Sequence, residues 1–478
     1  MSPAVPVHLP VLRRGVEYES LELVEVVDHR DGTPLAAVGQ ANAAMLRRDL
    51  RSAPNPLRAL SVARLLEICA EAGERFMQDE LPLDGAGALQ SPQDYVEALS
   101  ASSGLPHTSC RANMAKVHTV LSRMEEVLRG LTRGMDLAVI DEGVGEQNDV
   151  KVSYARTTDV LGVVLPSNSP GVNSIWMPAF ALKTAVVLKP GREEPWTPLR
   201  IVRALIAAGA PAGAFGFYPT DHEGAAALLE GCDRALLFGD ERTTAPWAAQ
   251  ESVSVHGPGR SKIVIGADEI ERWPEYLDML VESVVANGGR SCVNASTILV
   301  PARADELADA LARRLCDIDP RPATDPEAVL SAFAARKVAE SVDATITRGV
   351  ASGAEDITAR HRDKPRLAEL EGGAYLRPTV VRCGELDHPL ARTEFLFPFV
   401  SVVEIDERQL VDSLGPSLVV TALTRDPALT RALLDCAGIG RLNLGALPTT
   451  QIDWGQPHEG NLFEFLYTRR AISRAADW

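Results

Sequence analysis

The stretch from residue 154 to residue 240 alternates between apolar strand-like runs and helical segments, and this alternation sets the fold class. The strand-like runs are "TTDVLGVVLP" (157–166), "AVVLKP", "GAFGFYP" and "RALLFGD" (234–240). Helical segments separate them, and one of these opens with Pro198 in its first turn, where proline is tolerated. Such alternation is typical of a parallel sheet with right-handed crossovers. The sequence therefore predicts an α/β protein with a Rossmann-type parallel sheet, whose ligands bind at the carboxyl ends of the strands.

A second α/β unit is predicted further along the chain. Strands are expected at 262–266 and 296–300, with "EYLDMLVESVVAN" as the helix between them. A further helix is expected at "ADELADALARRLCDI", and further strands at "SVVEI" and "SLVVTAL". The stretch 353–375 is charged and contains glycine, so we expect it at the surface.

The amino-terminal part is predicted to be mixed. Short strands with a turn at Asp31-Gly32 are expected within 20–40, and helices across 57–80, 91–101 and 111–132. The apolar residues of the last helix form one stripe, which is typical of a core-facing helix.

Charge and cysteine usage narrow the function classes. The chain of 478 residues has a net charge of −17, which argues against a nucleic acid or an anionic membrane surface as partner. Its seven cysteines are scattered without a CxxC pair, so we expect no metal site and no disulfide framework. The first residues lack a signal-peptide pattern, and no window approaches the ~20 apolar residues of a membrane span. A cytoplasmic protein is predicted.

Cys292 lies between a glycine-rich segment and a strand-like run, in "NGGRSCVNAS" (287–296). A structural cysteine usually lies inside an apolar run, because a thiol packs as a small hydrophobe. Here the backbone can approach closely, and local amides can lower a thiol pKa. On these residues alone, both a packing cysteine and a nucleophile remain open.

The position of a lysine at a strand end suggests a nucleotide site, although the usual glycine-rich motif is missing. The G-x-G-x-x-G fingerprint is missing after the first strand, which ends in "PSNSPGVNS". Lys189 stands at the carboxyl end of the second strand, a suitable place for a cation that binds a ribose hydroxyl or a phosphate. A solvated lysine at a strand end is the alternative.

Seven segments, in order, resemble the aldehyde dehydrogenase superfamily. They are "LPSNSP" (165–170), "VVLKP" (186–190), "GAPAGAFGFYP" (209–219), "LLFGD" (236–240), "HGPGRSKIVI" (256–265), "NGGRSCVNAS" (287–296) and "TEFLFPFVSVVEI" (393–405). The resemblance spans about 150 to 445. Each segment is weak alone, and their order makes the resemblance specific.

The resemblance implies a catalytic chemistry. Cys292 matches the nucleophile that attacks an aldehyde, after which a hydride leaves for NAD or NADP and a thioester remains. Asn168 matches the asparagine that stabilises the oxyanion together with the backbone N–H of Cys292. Without the resemblance, Asn168 would be read as a turn residue before Ser169-Pro170.

The resemblance also implies a dinucleotide site. Lys189 would bind the adenosine ribose and Glu394 the nicotinamide ribose, and Pro166 belongs to the matching segment after the first strand. Phe238 and Gly239 match the turn beneath the pyrophosphate, where Asp240 replaces the commoner serine. Acids after Lys189 (Glu193 and Glu194) would disfavour the 2′-phosphate of NADP, but two additional residues displace them, so NAD and NADP both remain open.

The sequence indicates more than one possible acyl acceptor. Hydrolytic members carry a glutamate where this chain has His256 or Gly257, and "GPGR" is closer to the segment of the CoA-acylating branch. The sequence leans towards coenzyme A as acceptor, with acyl-CoA as product or substrate. Hydrolysis to a carboxylate with His256 as base is the alternative, and a catalytically inactive binding or scaffold homologue is a third. Glu251 and Glu282 are expected to be solvated.

The carboxyl-terminal segment replaces the closing stretch of the family. "LFEFLYTRRAI" is predicted as an edge or arm strand, which in the family pairs across subunits. The pair His458-Glu459 is expected to cap a turn, with a place at a substrate entrance as the alternative. The chain is thus expected to form a homodimer or homotetramer.

Three parts are expected from these features. They are a cofactor-binding domain of residues 1–134 and 154–258, a catalytic domain of residues 259–445, and an oligomerisation element of residues 135–153 and 446–478.

Overall fold

A computed structural model describes residues 6–51, 55–473 and 475 of the chain. The strands are β1 (Val7–Leu9), β2 (Val11–Arg13), β3 (Val16–Tyr18), β4 (Leu23–Val27), β5 (Pro34–Gly39), β6 (Leu81–Pro82), β7 (Leu89–Gln90), β8 (Val144–Gln147), β9 (Val150–Arg156), β10 (Val160–Val164), β11 (Ala185–Lys189), β12 (Phe215–Phe217), β13 (Arg234–Phe238), β14 (Val253–His256), β15 (Ser261–Ile265), β16 (Ala295–Val300), β17 (Glu355–Asp356), β18 (Leu367–Leu370), β19 (Gly373–Leu376), β20 (Thr379–Cys383), β21 (Phe399–Glu404), β22 (Ser417–Leu423), β23 (Ile439–Leu444) and β24 (Tyr467–Arg470). The α-helices are α1 (Ala43–Leu50), α2 (Val62–Gln78), α3 (Pro92–Ser103), α4 (His107–Ser122), α5 (Met124–Leu131), α6 (Ala138–Glu142), α7 (Pro178–Ala181), α8 (Trp196–Ala207), α9 (His222–Gly231), α10 (Glu241–Thr244), α11 (Leu277–Val285), α12 (Ala304–Leu315), α13 (Arg336–Ala351), α14 (Glu407–Ser413), α15 (Pro427–Leu434) and α16 (Leu462–Leu466).

The first large sheet has seven strands in the order β14-β13-β10-β11-β12-β2-β3. Its first five strands are parallel, and β2 joins antiparallel to β12. Side chains of α2, α4 and α8 pack with those of β10, β11 and β12 in one continuous apolar core. The four strands predicted within 154–240 are confirmed, because each is an apolar run buried between helices.

The second large sheet has the order β17-β20-β21-β16-β15-β22-β23 and is parallel except for β17. Alternate residues of its central strands face opposite layers, as a strand requires. Ile263 and Ile265 pack on the side of α11 and α12, whereas Val264 packs on the side of α13. The second α/β unit predicted from the sequence is confirmed.

Three local predictions differ from the structure. The helix expected across 111–132 is two helices, α4 and α5, which separate at Arg123 because its backbone leaves the helical region (φ −105°, ψ 25°). The stretch 353–375 is not all surface, since it includes part of β19, which is buried and pairs with β18. "LFEFLYTRRAI" is a strand only in its second half, because Asn461 caps the amino end of α16 ahead of β24.

A small third sheet joins distant parts of the chain. Its strand order is β24-β9-β8, with antiparallel pairing throughout. The two segments expected to form an oligomerisation element therefore meet in one sheet, although the expected domain boundaries themselves stay a prediction. None of the helices in the described part of the chain is long and apolar enough to cross a membrane.

Candidate active site

Cys292 lies in the loop between α11 and β16, and glycines shape this loop. Gly289 has φ +69°, and a Cβ there would lie 2.3 Å from the carbonyl carbon of Phe397. A Cβ on Gly259 would lie 2.0 Å from the carbonyl oxygen of Cys292. That oxygen also accepts a hydrogen bond of 2.8 Å from Ser261 Oγ. Close backbone approach on both sides fixes the position of Cys292, as the glycine-rich sequence suggested.

Buried polar side chains hold the same loop from inside the protein. The guanidinium of Arg290 donates to the carbonyl oxygens of Ser103 and Ala332, at 2.8 and 2.7 Å. Asn294 Oδ1 accepts from the backbone N–H of Ser291 at 2.9 Å. The nucleophile candidate therefore stands on a fixed support, which catalysis by a positioned group requires.

The thiol of Cys292 meets a carboxylate from the carboxyl-terminal segment. Cys292 Sγ donates to Glu459 Oε1 at 3.4 Å. The other oxygen, Oε2, lies 3.1 Å from His256 Nδ1. The side chains of Glu459 and His256 are only 7% and 8% exposed. Three parts of the chain that are distant in sequence thus bring a thiol, a carboxylate and an imidazole together.

The expectation that His458-Glu459 caps a turn is wrong. Both side chains are buried, at 14% and 7% exposure, and Glu459 contacts the candidate nucleophile. The alternative place beside a substrate entrance agrees better with the structure, because both residues line a cavity of about 350 Å³. Glu251 and Glu282 are exposed, as expected.

His256 is the last residue of β14, and its ring has a stacking partner and two hydrogen-bonding partners. Its ring stacks on Phe238, with 4.5 Å between ring centroids and 19° between planes. Its Nε2 lies 3.2 Å from Ser254 Oγ. Both ring nitrogens therefore have partners, and His256 reaches Cys292 through Glu459.

The charges around Glu459 decide which groups are ionised. Burial alone would raise the pKa of Glu459, but the hydrogen bond from His256 and neighbouring charges outweigh it and lower that pKa. Burial and the carboxylates of Glu459 and Glu394 raise the pKa of the Cys292 thiol well above its ordinary value. These shifts favour a neutral thiol beside an ionised carboxylate.

Two buried cations complete the surroundings. Lys116 Nζ lies 5.7 Å from the centroid of the Trp454 ring, and burial lowers its pKa. Arg441 Nη1 lies 3.1 Å from His458 Nδ1, and burial lowers the pKa of the Arg441 guanidinium as well. Both cations act on Cys292 and Glu459 through space. Neither residue was singled out from the sequence, because their approach to the site depends on tertiary packing.

Asn168 lies beside the loop that carries Cys292. Its Nδ2 donates to the carbonyl oxygen of Arg290 at 2.9 Å. A carboxamide nitrogen has two hydrogens, so one remains for a second acceptor. The structure brings Asn168 to the loop of Cys292, and its role at an oxyanion stays a prediction.

A cleft of about 820 Å³ opens at the carboxyl ends of the first sheet. Pro166, Lys189, Phe238 and Gly239 line it together. They meet there because β10, β11 and β13 are parallel neighbours whose carboxyl ends share one edge. Burial lowers the pKa of Lys189, and the nearby Glu193 opposes that shift.

Two acids near this cleft are turned towards helix ends. Asp240 accepts hydrogen bonds from Thr243 N and Oγ1 at 2.9 and 2.7 Å, which caps α10. Glu194 is buried and accepts from the backbone N–H of Thr197 at 2.8 Å. Asp240, the acid at the expected phosphate position, therefore already accepts hydrogen bonds within the protein.

Glu394 lies on the other side of the Cys292 loop. Its Oε2 accepts from the backbone N–H of Arg260 at 2.7 Å, and burial raises its pKa to about 7. Glu394 thus lies near Cys292 and the His256–Glu459 pair, and Asn168 contacts the loop of Cys292. Phe238, which lines the cleft, stacks on the ring of His256. Among the described residues, no group of three or more His, Cys, Asp and Glu side chains could hold a metal ion.

Comparison with known proteins decides the family. Residues 16–412 match the model of the aldehyde dehydrogenase family. The chain belongs to the aldehyde dehydrogenase family. It is therefore an oxidoreductase of an NAD(P)-dependent family, and both the resemblance and the fold class predicted from the sequence are confirmed.

Individual relatives of this aldehyde dehydrogenase are distant. A protein of Staphylococcus haemolyticus named as an aldehyde dehydrogenase is 23% identical over 402 residues, which are 81% of this chain and 79% of the relative. The 2-hydroxymuconic semialdehyde dehydrogenase of Pseudomonas sp. strain CF600 is 28% identical over 297 residues, 58% of this chain and 60% of the relative. The NAD⁺ complex of an aldehyde dehydrogenase from Bacillus cereus has a TM-score of 0.75 at 17% identity and covers 97% of this chain and 96% of that one. The solved structure shares the fold.

Proposed function

We propose that this aldehyde dehydrogenase oxidises a small-molecule aldehyde with NAD⁺ or NADP⁺ through a thioester on Cys292. The observation that carries the proposal is the position of the Cys292 thiol. It stands on a loop restrained by glycine, and Asn168 donates to the Arg290 carbonyl of the same loop. Its sulfur contacts Glu459, which lines the smaller cavity.

The chain's own residues suit each part of this chemistry. Cys292 Sγ would attack the aldehyde carbon as its proton leaves to solvent. Asn168 Nδ2 and the backbone N–H of Cys292 would hold the oxygen that gains charge. A bound dinucleotide would supply the hydride acceptor, and a thioester would remain on Cys292. No further redox group is needed.

The large cleft fits a dinucleotide. Its volume of about 820 Å³ lies within the usual range of ligand sites. Lys189 offers an ammonium there without a hydrogen-bonding partner in the described part of the protein, suited to a ribose hydroxyl or a phosphate. Pro166, Phe238 and Gly239 would contact the rest of the dinucleotide. Glu394, at the Cys292 side, would accept hydrogen bonds from the nicotinamide ribose once its carboxylate releases Arg260.

The smaller cavity of about 350 Å³ would take the rest of the aldehyde. Most of its wall is apolar, with Leu131, Ile175 and Phe465 among the lining residues. His256 and Glu459 are among its polar lining residues, and Glu459 contacts the Cys292 thiol. An aldehyde would thus enter with its carbonyl group towards Cys292.

Two acyl acceptors suit a thioester on Cys292. Coenzyme A is favoured by the "GPGR" segment (257–260). His256 or Gly257 stands where hydrolytic members carry their glutamate. Water is favoured by Glu459, whose carboxylate accepts the hydrogen bond of the thiol. The relatives described above are named for aldehydes and semialdehydes, without coenzyme A. We therefore place water first and coenzyme A second.

An aldehyde panel tests the proposal. The protein would be mixed with each aldehyde and NAD⁺ or NADP⁺, with and without coenzyme A, and the acyl product would be identified. We expect NAD(P)H and a carboxylate without coenzyme A. Production of acyl-CoA alone would establish coenzyme A as the acceptor. If no aldehyde yields NAD(P)H, the oxidation is refuted and the inactive binding homologue becomes the better description.

The small sheet and the cysteines suggest a quaternary state and a cellular location. The sheet β24-β9-β8 has open edges in the single chain, and we propose that it pairs or packs in a homodimer or homotetramer. A cytoplasmic location is proposed because the seven cysteines form no disulfide framework.

A further inference from the structure

We propose that Glu459, held by His256, is the general base that activates water to release the acyl group from Cys292. This step rests on the proposed thioester and deepens it. Glu459 would do the work of the glutamate that hydrolytic family members carry where this chain has His256 or Gly257. It would reach the same sulfur from the carboxyl-terminal segment.

The position of the carboxylate supports this assignment. Glu459 Oε1 accepts the thiol hydrogen of Cys292 at 3.4 Å. Once the sulfur carries an acyl group it has no hydrogen to donate, so Oε1 loses its donor and becomes free to accept one from water. The acyl carbon is bonded to that sulfur, and a water held by Oε1 therefore lies beside the carbon that it must attack. Such a near-attack position is what general-base catalysis requires.

His256 fixes the carboxylate rather than touching the acyl carbon itself. Its Nδ1 binds Glu459 Oε2 at 3.1 Å, and its Nε2 is paired with Ser254 Oγ at 3.2 Å. The stacked ring of Phe238 prevents it from turning. We therefore assign His256 as a positioning residue, which also differs from the role of direct base that the sequence left open for it.

Acylation makes Glu459 a better base at the moment it is needed. In the free enzyme the hydrogen bond from Cys292 is one of the interactions that lower the pKa of Glu459. Forming the thioester removes that bond, so the pKa of the carboxylate rises. His256 and His458 still face the carboxylate, and the nearby cations Lys116 and Arg441 favour its ionised form before the water reacts. A base whose pKa moves towards the working pH gains efficiency.

The step balances in atoms and charge. Water adds its oxygen to the acyl carbon while one of its protons passes to Glu459, and the negative charge on the carbonyl oxygen is held by Asn168. The carbon–sulfur bond then breaks, releasing a carboxylic acid and the thiolate of Cys292. The acid loses a proton to solvent, and Glu459 returns its proton to the thiolate. No oxidant or reductant takes part.

Pre-steady-state kinetics of Glu459→Gln test the assignment. Glutamine keeps the shape of the side chain but cannot take a proton. We expect a burst of about one NAD(P)H per active site, because glutamine removes the charge that opposes the Cys292 thiolate and acylation needs no activated water. Turnover after the burst should be about 10²–10⁴-fold below wild type. Hydroxylamine, which attacks a thioester without a base, should restore turnover and give a hydroxamate. Glu251→Gln, which removes an exposed carboxylate five residues before His256, should behave as wild type.

A second pair of variants protects the test against misfolding and probes His256. Glu459→Asp retains the carboxylate at a shorter reach and should keep a part of the steady turnover. His256→Gln should leave the burst intact, slow the steady state less than Glu459→Gln does, and change the pH dependence of acyl release. A pH profile identical to wild type would contradict the positioning role of His256.

The outcomes separate this step from the oxidation. Wild-type steady turnover in Glu459→Gln overturns the base assignment alone. So does loss of the burst in Glu459→Gln when the variant still binds NAD⁺, because Glu459 would then be needed before the thioester exists. A wild-type protein that reduces no NAD(P)⁺ with any aldehyde contradicts the proposed oxidation itself, and this step with it.

Discussion

Cys292 and Glu459 place a thiol and a carboxylate within hydrogen-bond distance inside a buried site, so each changes how readily the other ionises. The negative charge of Glu459 opposes formation of the thiolate, and burial opposes it further. The cations Lys116 and Arg441 favour the thiolate. In the free enzyme the thiol should therefore stay protonated at neutral pH, and attack on an aldehyde requires its proton to leave as the new bond forms.

Alkylation of Cys292 should report this state. Iodoacetamide reacts with the thiolate, so the rate should be low at neutral pH and rise about tenfold per pH unit until the raised pKa is reached. Glu459→Gln removes the opposing charge and should speed alkylation near neutral pH, whereas Glu251→Gln should not. Mass spectrometry of the Cys292 peptide gives the rate, because Cys316 and Cys436 are also partly exposed. Equal pH profiles for wild type and Glu459→Gln would contradict the proposed coupling.

Asn168 supports a separate prediction. Asn168→Ala should lower kcat about 10²–10³-fold, the usual loss for one donor to an oxyanion. Steady-state kinetics with one aldehyde would measure kcat and KM together. A change mainly in KM would instead mark Asn168 as a residue that shapes the turn and supports the Arg290 carbonyl.

The sequence indicated some of these residues and missed others for a physical reason. Cys292, Asn168, Lys189 and Glu394 lie within short local patterns, which can be recognised without coordinates. Glu459 lies 167 residues from Cys292 and reaches it only because the carboxyl-terminal segment folds back over the site. A carboxylate in a polar stretch has no local feature that distinguishes such a contact from a solvated turn.

Some features of the secondary structure were also missed, because they depend on packing between distant parts of the chain. Eight strands of the two large sheets (β10, β11, β12, β13, β15, β16, β21 and β22) were predicted, because each is an apolar run buried between layers. The strands β2, β3, β14, β17, β20 and β23 were not predicted. The break between α4 and α5 was not predicted either, since the apolar stripe continues across Arg123 while the backbone does not. β19 was missed because its burial against β18 and the body of the second unit overrides the charged composition around it.

The loop of Cys292 depends on close contact with the loop before β15. Gly259→Ala would place a methyl group 2.0 Å from the Cys292 carbonyl oxygen, so one loop must move. We expect a lower unfolding temperature, and a kcat reduced by about 10²-fold, since small misplacements of a reacting group are costly. Thermal unfolding and steady-state assays measure the two effects. Gly384→Ala, where no heavy atom lies within 4 Å of the added carbon, is the matched control, and equal behaviour of the two variants would refute the argument.

Beside its two large sheets, the described part of the molecule has smaller ones, and one of these, β24-β9-β8, joins the two segments of the proposed oligomerisation element. Its strands β24 and β8 lie at open edges, which proteins usually cover or pair. We expect light scattering after size exclusion to give two or four times the chain mass of 51.4 kDa. A mass of a single chain at all concentrations would contradict this expectation.

The proposed thioester involves both α/β units of the molecule. Its sulfur belongs to the second unit, and the hydride acceptor would bind in the cleft of the first unit. Rapid acid quenching of the enzyme with an aldehyde and NAD(P)⁺, followed by mass spectrometry of the intact chain and its peptides, would detect the thioester. We predict one acyl group per chain on the peptide of Cys292, formed together with one NAD(P)H, and neither product in Cys292→Ala. NAD(P)H formed without an acyl group on Cys292, or formed by Cys292→Ala at more than about a thousandth of the wild-type rate, would show that Cys292 is not the nucleophile.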